Sequence, residues 1–564
     1  MKRRDALAAL TSLGIGSATF HRALADDVEK SGDITAEMIS SAEWVAGLEL
    51  TEEERTATLR NLRGELRNFA SLRQVDIPYH VPPAIQFAAD PTRPQVRISR
   101  NQARLSETRS GRRPANETDL AFLPVHEQAA LIRDRKITSL ELTQLYLKRL
   151  RHYDRLLKCV VTITEKTALE QARRADAEIA TGRYRGPLHG IPWGAKDLMA
   201  WPGYRTTWGA PLFQNQELDE KATVARRLED AGAVLVAKLT LGALAMGDKW
   251  FGGMTRNPWN TEQGSSGSSA GSASAVVAGL VGFAIGTETL GSILSPCRRC
   301  GVTGLRPTFG RVSRHGCMPL SWSMDKVGPI ARSAEDCALI LDAIHGADGL
   351  DPTAVDQPFH WPARRDVAGL RVGYVKGRTP IAERADLNVL RDLGVRLVEI
   401  QLPHELPASA VTIMLEAEAA TVFDDVTREH VEDGLNAWPA IFRAAQFIPA
   451  VEYIRAARVR TLLMQQMDRV MQDVDLYVGG NDIYICNLTG HPTTVVPAGL
   501  RDLKNGRKSP RTVSFTGRLF GESELMAVAA AWQNATTHHL ARPDLDGQLK
   551  LFNQPPVQET SESS

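Results

Sequence analysis

The residues best placed to do chemistry lie between Gly264 and Pro307. The stretch opens Gly264-Ser265-Ser266-Gly267-Ser268-Ser269-Ala270-Gly271-Ser272 and continues through a run of small residues. It then reads Gly286-Thr287-Glu288-Thr289-Leu290-Gly291-Ser292 and closes Gly301-Val302-Thr303-Gly304-Leu305-Arg306-Pro307. Glycine and serine at fixed places, with apolar runs between, suit a backbone that must come close to a reacting group. Serine hydroxyls supply nucleophiles when a base lies within reach. One lysine is delivered in a comparable setting, in Gly186-Pro187-Leu188-His189-Gly190-Ile191-Pro192-Trp193-Gly194-Ala195-Lys196-Asp197. Burial would lower the pKa of such an amine, and a neutral amine is a usable base. Taken alone, Lys196 reads first as an ordinary solvated lysine, as most lysines are.

The elements that must position these residues alternate. Ala233-Val234-Leu235-Val236-Ala237 is continuously apolar and predicts a buried strand. Residues 283–285, 372–375, 397–400, 476–478 and 494–496 add further strands, and residues 222–231 a short helix. Leu123 to Ala180 reads as helical, with Thr138-Ser139-Leu140-Glu141 as an N-cap and acidic first turn. Helices alternating with strands imply an α/β layered fold. Ser409 to Asp473 reads as mostly helical and is a candidate cap over a site. Ala36 to Phe69 is rich in Glu, Arg and Leu and reads as helical, until Pro78, Pro82, Pro83, Pro91 and Pro94 interrupt it.

Four regions follow: an export signal over 1–25, a helical extension and linker over 26–118, a catalytic domain over 119–545, and a disordered tail over 546–564. Lys2-Arg3-Arg4, a mild apolar run to Phe20 and Ala23-Leu24-Ala25 follow the order of an export signal. The Arg3-Arg4 pair fits the twin-arginine route, so the mature protein is expected in the periplasm or secreted; it is cytoplasmic if the segment is an ordinary helix. The 564 residues carry 67 Lys+Arg against 66 Asp+Glu, so no basic excess marks a nucleic-acid binder. No apolar run approaches the roughly 20 residues of a membrane span. Cys297 and Cys300 form a C-x-x-C without two further ligands at zinc spacing, so buried apolar thiols are the simpler reading of the six cysteines. No metal or organic cofactor is implied.

These residues together resemble the amidase signature hydrolases. The resemblance covers Leu188–Asp197, Asn257-Pro258-Trp259, the whole Gly264–Pro307 stretch, Gly310–Arg314, Val327–Arg332, Asn487–Pro492, Pro497-Ala498-Gly499 and Gly517-Arg518, and so spans roughly residues 120 to 545. It implies an α/β/α sandwich, with a large mixed twisted β-sheet flanked by helices. It also implies a Ser-Ser-Lys triad: Lys196 as base, Ser268 as bridging serine and Ser292, 24 residues on, as nucleophile. Ser265, Ser266 and Ser269 are the neighbours with which Ser268 could be confused. The family holds the bridging serine on a cis peptide, here Gly267–Ser268. Backbone N–H groups of Thr289, Leu290 and Gly291 are the expected oxyanion hole. Met246, Trp250 and Phe251 are the candidate lining of an apolar acyl pocket, against plain core packing.

Four positions depart from the family pattern: Ala270 and Leu290 stand where glycine is usual, Glu288 where aspartate is usual, and Leu294 where arginine is usual. Leu290 would be strained if its position required positive φ, and Arg298 or Arg299 could replace the missing arginine. The expected activity is hydrolysis of a small carboxylic amide through an acyl-serine, releasing ammonia or an amine, with the small molecule as partner and a homodimer compatible. Two alternatives stand beside it. One is the glutamine-hydrolysing A subunit of a tRNA-dependent amidotransferase; the other is a non-catalytic binding protein on the same scaffold.

Overall fold

The computed structural model describes residues 34–78, 81, 83–85, 111–362, 366–377, 381–479, 482–503 and 507–553. The expected export signal over 1–25 lies outside them. The described residues divide into two compact units. One falls within Met1–Pro83, Ser409–Glu432 and Ala437–Val459; the other within Ala84–Ala408, Asp433–Asn436 and Arg460–Ser564.

The larger unit is built on one sheet of 11 strands. In chain order these are β1 (Val160–Ile163), β2 (Pro192–Lys196), β3 (Val234–Leu239), β4 (Phe283–Glu288), β5 (Thr303–Arg306), β6 (Lys326–Ala331), β7 (Arg371–Val375), β8 (Arg396–Ile400), β9 (Leu476–Gly479), β10 (Thr493–Asp502) and β11 (Lys508–Gly517). Their spatial order is β1-β3-β2-β4-β6-β5-β10-β11-β9-β7-β8. The sheet is mixed: β3, β2 and β4 run parallel, as do β9, β7 and β8, and the strands between them pair antiparallel. Helices between the strands cover it, which is the α/β layering that the alternating pattern implied.

Every residue of β2 and β3 is buried, as continuous apolar runs require. Trp193 and Phe283 face each other in the β2–β4 register and stack at 6.0 Å, locking the two strands that carry the site. Helix Ala270–Val277 is buried along its whole length, and its alanines, serines and glycine admit it close to the sheet. Thr138 and Glu141 form a complete capping box at helix Ser139–Leu157.

Two stretches differ from expectation. Within the run read as helical from 123 to 180, Val160–Ile163 forms the edge strand β1, pairing with β3. A short β-branched run favours a strand once a neighbour offers an edge. Helix Leu545–Phe552 runs into the stretch expected to be disordered from 546. Leu545 and Leu549 are buried there in the main core, so this piece has an apolar face to anchor it.

In the smaller unit, helices Ala36–Ala46 and Glu52–Arg73 bear out the helical reading of 36–69. They share the unit with helices Ile413–Val422 and Trp438–Ala445. Ile39, Leu48 and Leu50 form its apolar core with Phe447 alongside. Arg443 donates to Glu54 at 2.5 Å, tying the two distant segments together. All six cysteines are free, five of them buried. Among the described residues, no helix is long and apolar enough to cross a membrane.

Candidate active site

Lys196 ends β2 and Glu288 ends the parallel β4, so both strands deliver chemistry at the same edge of the sheet. Ligands gather at this carboxyl edge in open α/β sheets. The antiparallel β6 begins there too, with Lys326 opposite Glu288.

The Lys196 amine is fully buried. Its Nζ lies 2.8 Å from Ser268 Oγ, 3.2 Å from Ser269 Oγ, 2.8 Å from Thr287 Oγ1 and 3.3 Å from the Thr287 carbonyl. A neutral amine has two N–H donors and one lone pair. Thr287 and Ser269 offer acceptors for the donors, which leaves the lone pair to accept from the Ser268 hydroxyl. Burial pulls the Lys196 amine down to about 7, although Asp325 and Glu288 act in the opposite direction. Lys196 thus has the protonation behaviour of a base near neutral pH.

The Gly267–Ser268 peptide is cis. A Cβ at Gly267 would stand 1.8 Å from the Gly247 carbonyl oxygen, so only glycine fits before Ser268. Ser266 N donates to Asp248 at 2.8 Å, fixing the loop one residue earlier. Ser269 N donates to the Ser292 carbonyl at 3.0 Å, which brings the two serine segments together. Ser268 and Ser269 are buried, while Ser292 is partly open.

The loop from Thr289 to Ser292 is held by its flanks. Glu288 accepts from the N–H groups of Ile293 and Leu294 at 2.9 Å each, and pairs with Arg306 at 2.9 Å. Neither Arg298 nor Arg299 takes this role: Arg298 bonds Ser514, and Arg299 is exposed. Leu290 has no positive φ; Gly291, at +98°, takes the conformation that only glycine tolerates. Among the described residues, no protein acceptor takes the N–H of Leu290, Gly291 or Ser292.

Beside these residues is a cavity of about 230 Å³ bordered by Thr287, Thr289, Asp325, Lys326, Cys317 and Trp322. Its charged walls are satisfied by protein. Arg314 pairs with Asp351 at 2.8 Å, Asp325 accepts from Thr289 Oγ1 and from the N–H groups of Leu320 and Ser321, and Lys326 donates to Asn487 at 2.8 Å. Met246, Trp250 and Phe251 are not among the residues bordering this cavity. Trp250 and Phe251 instead contact each other edge to face at 4.7 Å beside a two-stranded ribbon. The sequence reading missed Thr287, whose hydroxyl in a strand gives no local signal, and the cavity wall between Arg314 and Asp325.

The Amidase family model matches residues 141–480. The chain belongs to the amidase signature family. Its homologues act on amide C–N bonds, and so does this enzyme. It is 36% identical over 471 residues to the A subunit of the glutamyl-tRNA(Gln) amidotransferase of Roseiflexus sp. (strain RS-1), covering 73% of this chain and 96% of that one. The same-named protein of Moorella thermoacetica is 32% identical, over 76% of this chain and 99% of that one. Among solved structures, the peptide amidase of Stenotrophomonas maltophilia superposes with a TM-score of 0.66 at 30% identity, over 75% of this chain and 98% of that one. A bacterial aryl acylamidase shares the fold, with a TM-score of 0.65.

Proposed function

We propose that this amidase signature enzyme hydrolyses a carboxylic amide through an acyl-serine formed on Ser292, with Ser268 and neutral Lys196 relaying the proton. The observation that carries the reading is the buried Lys196 amine 2.8 Å from Ser268 Oγ. Ser292 Oγ attacks the carbonyl carbon and gives its proton to Ser268, whose own proton passes to Lys196. The oxyanion forms against the N–H groups of Thr289, Leu290 and Gly291. The proton on Lys196 returns through Ser268 to the leaving nitrogen, which departs as ammonia or an amine. Water then enters by the same relay, releases the acid and restores Ser292. Each oxyanion donor is worth about 10²–10³ in rate.

Two substrate readings divide on different observations. The comparisons give more support to the glutamine-hydrolysing A subunit, because the chain spans nearly the full length of relatives bearing that name. The cavity favours a stand-alone amidase on an uncharged amide. Its Arg314, Asp351, Asp325 and Lys326 are each engaged by protein groups, and a zwitterionic amino acid needs free partners of both signs. Residues 1–25, read as an export signal, favour the same side, since export would separate the enzyme from tRNA.

The deciding experiment incubates the chain from Asp26 onward with glutamine, and separately with a panel of neutral amides and anilides. Ammonia from glutamine alone would support the amidotransferase reading; turnover of neutral amides with glutamine inert would support the amidase. A fluorophosphonate adduct on wild type that is absent in Ser292→Ala assigns the nucleophile. No adduct on folded wild-type protein would overturn the acyl-serine reading and leave the binding-protein alternative.

A further inference from the structure

The loop that ends in Ser292 is gripped at Thr289 by two consecutive residues of β6 and its approach. Lys326 opens β6 opposite Glu288, so Asp325 and Lys326 come alongside Thr289. The Thr289 hydroxyl donates to Asp325 Oδ1, and the Thr289 carbonyl accepts from Lys326 Nζ at 3.3 Å. The amine is itself located: it donates to Asn487 Oδ1 at 2.8 Å, and Asn487 Nδ2 donates onward to Glu288 Oε1 at 2.9 Å. Lys326 is 2% exposed.

We propose that Lys326 is a positioning residue for acyl transfer, which, with Asp325, clamps Thr289 and so fixes the direction of the Leu290 N–H as an oxyanion donor. The link is the planarity of the peptide. In a trans peptide the carbonyl of one residue and the N–H of the next point in opposite directions within one plane. The Thr289–Leu290 peptide is not among the cis bonds. Pinning the Thr289 carbonyl therefore fixes the direction of the Leu290 N–H. Burial, with the Arg306 charge beside it, pulls the Lys326 amine down to about 7, so the clamp rests on its hydrogen bond to the Thr289 carbonyl rather than on a fixed charge.

This inference rests on Ser292 as nucleophile, so the test separates the two claims. Full-length wild type, Lys326→Met, Thr289→Val and the double variant are assayed with p-nitrophenyl butyrate, alongside thermal melts. Lys326→Met should lower kcat about 10²-fold with KM within about threefold. Thr289→Val, which removes only the hydroxyl grip, should lower kcat about tenfold. The double variant should lose little more than Lys326→Met, because both substitutions release one clamp. A folded Lys326→Met with kcat within about threefold of wild type overturns the proposal, as does a loss confined to KM or a fully multiplicative double loss. If Lys326→Met does not fold, unchanged kcat in Thr289→Val overturns it. If wild type turns over no ester and takes no fluorophosphonate, the acyl-serine reading has failed and the clamp falls with it.

Discussion

Glu288 and Arg306 meet at 2.9 Å with both side chains fully shielded from solvent. Burial opposes the charge on Glu288, but Arg306 and Lys326 outweigh it and hold the carboxyl down at about 2. Arg306 also donates to the His491 carbonyl and to Thr493 Oγ1, so the pair ties the loop carrying Ser292 to β10. The longer Glu288 side chain reaches the N–H groups of Ile293 and Leu294 and still meets Arg306. Leu294 is thereby left to pack in the apolar core. Arg306→Met should cost about 3–5 kcal/mol in urea unfolding, because it strands a buried carboxylate. A loss under about 1 kcal/mol would mean that Glu288 is neutral or solvated.

Burial pulls the Lys196 amine down to about 7, and the proposed relay needs its neutral form. Activity should therefore be low in acid, rise through about pH 7 and level off above it. Lys196→Ala should lose about 10²–10⁴ in kcat and with it that limb of the profile. A profile flat down to pH 5 would exclude Lys196 as the base.

The parts legible in the sequence were those carried by local pattern. The capping box at Thr138 and Glu141 is four adjacent residues, and β3 is one apolar run. Lys196 and Ser268 stand 72 residues apart, yet each sits in a segment whose glycines mark a close backbone approach. Contacts made by generic residue types gave no such signal. Thr287 reads as an ordinary strand residue and meets Lys196 only because β2 and β4 are neighbours. Arg306 reads as one arginine among many until β5 is laid two strands from β4. The grip of Glu54 on Arg443 crosses 389 residues of sequence, which no periodicity encodes.

Ser268 and Ser269 differ in their other hydrogen bonds although both touch Lys196. Ser269 Oγ donates to the Thr287 carbonyl at 3.1 Å and accepts from Thr287 N at 3.2 Å, so its hydroxyl is committed to β4. Ser268 is the nearer to the amine, and in the proposed relay its proton is the one passed to Lys196. Ser268→Ala should cut acylation by about 10²–10⁴ with stability nearly unchanged. Ser269→Ala should lower stability by about 1 kcal/mol through the lost hydrogen bonds, with the smaller effect on rate. Reversed effects in paired melts and acylation rates would exchange the two assignments.

Cys317 borders the cavity, and a thiol in an active site invites the reading of a second nucleophile. Its surroundings argue otherwise. Burial, with the Asp325 carboxylate adding to it, pushes the thiol up to about 12. At pH 8 only about one thiol in 10⁴ is then ionised, against roughly one in four for an ordinary cysteine of pKa 8.5. Iodoacetamide at pH 8 should therefore modify Cys317 about 10³-fold more slowly than a free thiol and leave activity intact over hours. Cys317→Ser should retain activity within about threefold. Rapid stoichiometric alkylation of Cys317, mapped by peptide mass with parallel loss of turnover, would show that the thiol is ionised in the site and that its environment carries more positive charge than Asp325 allows.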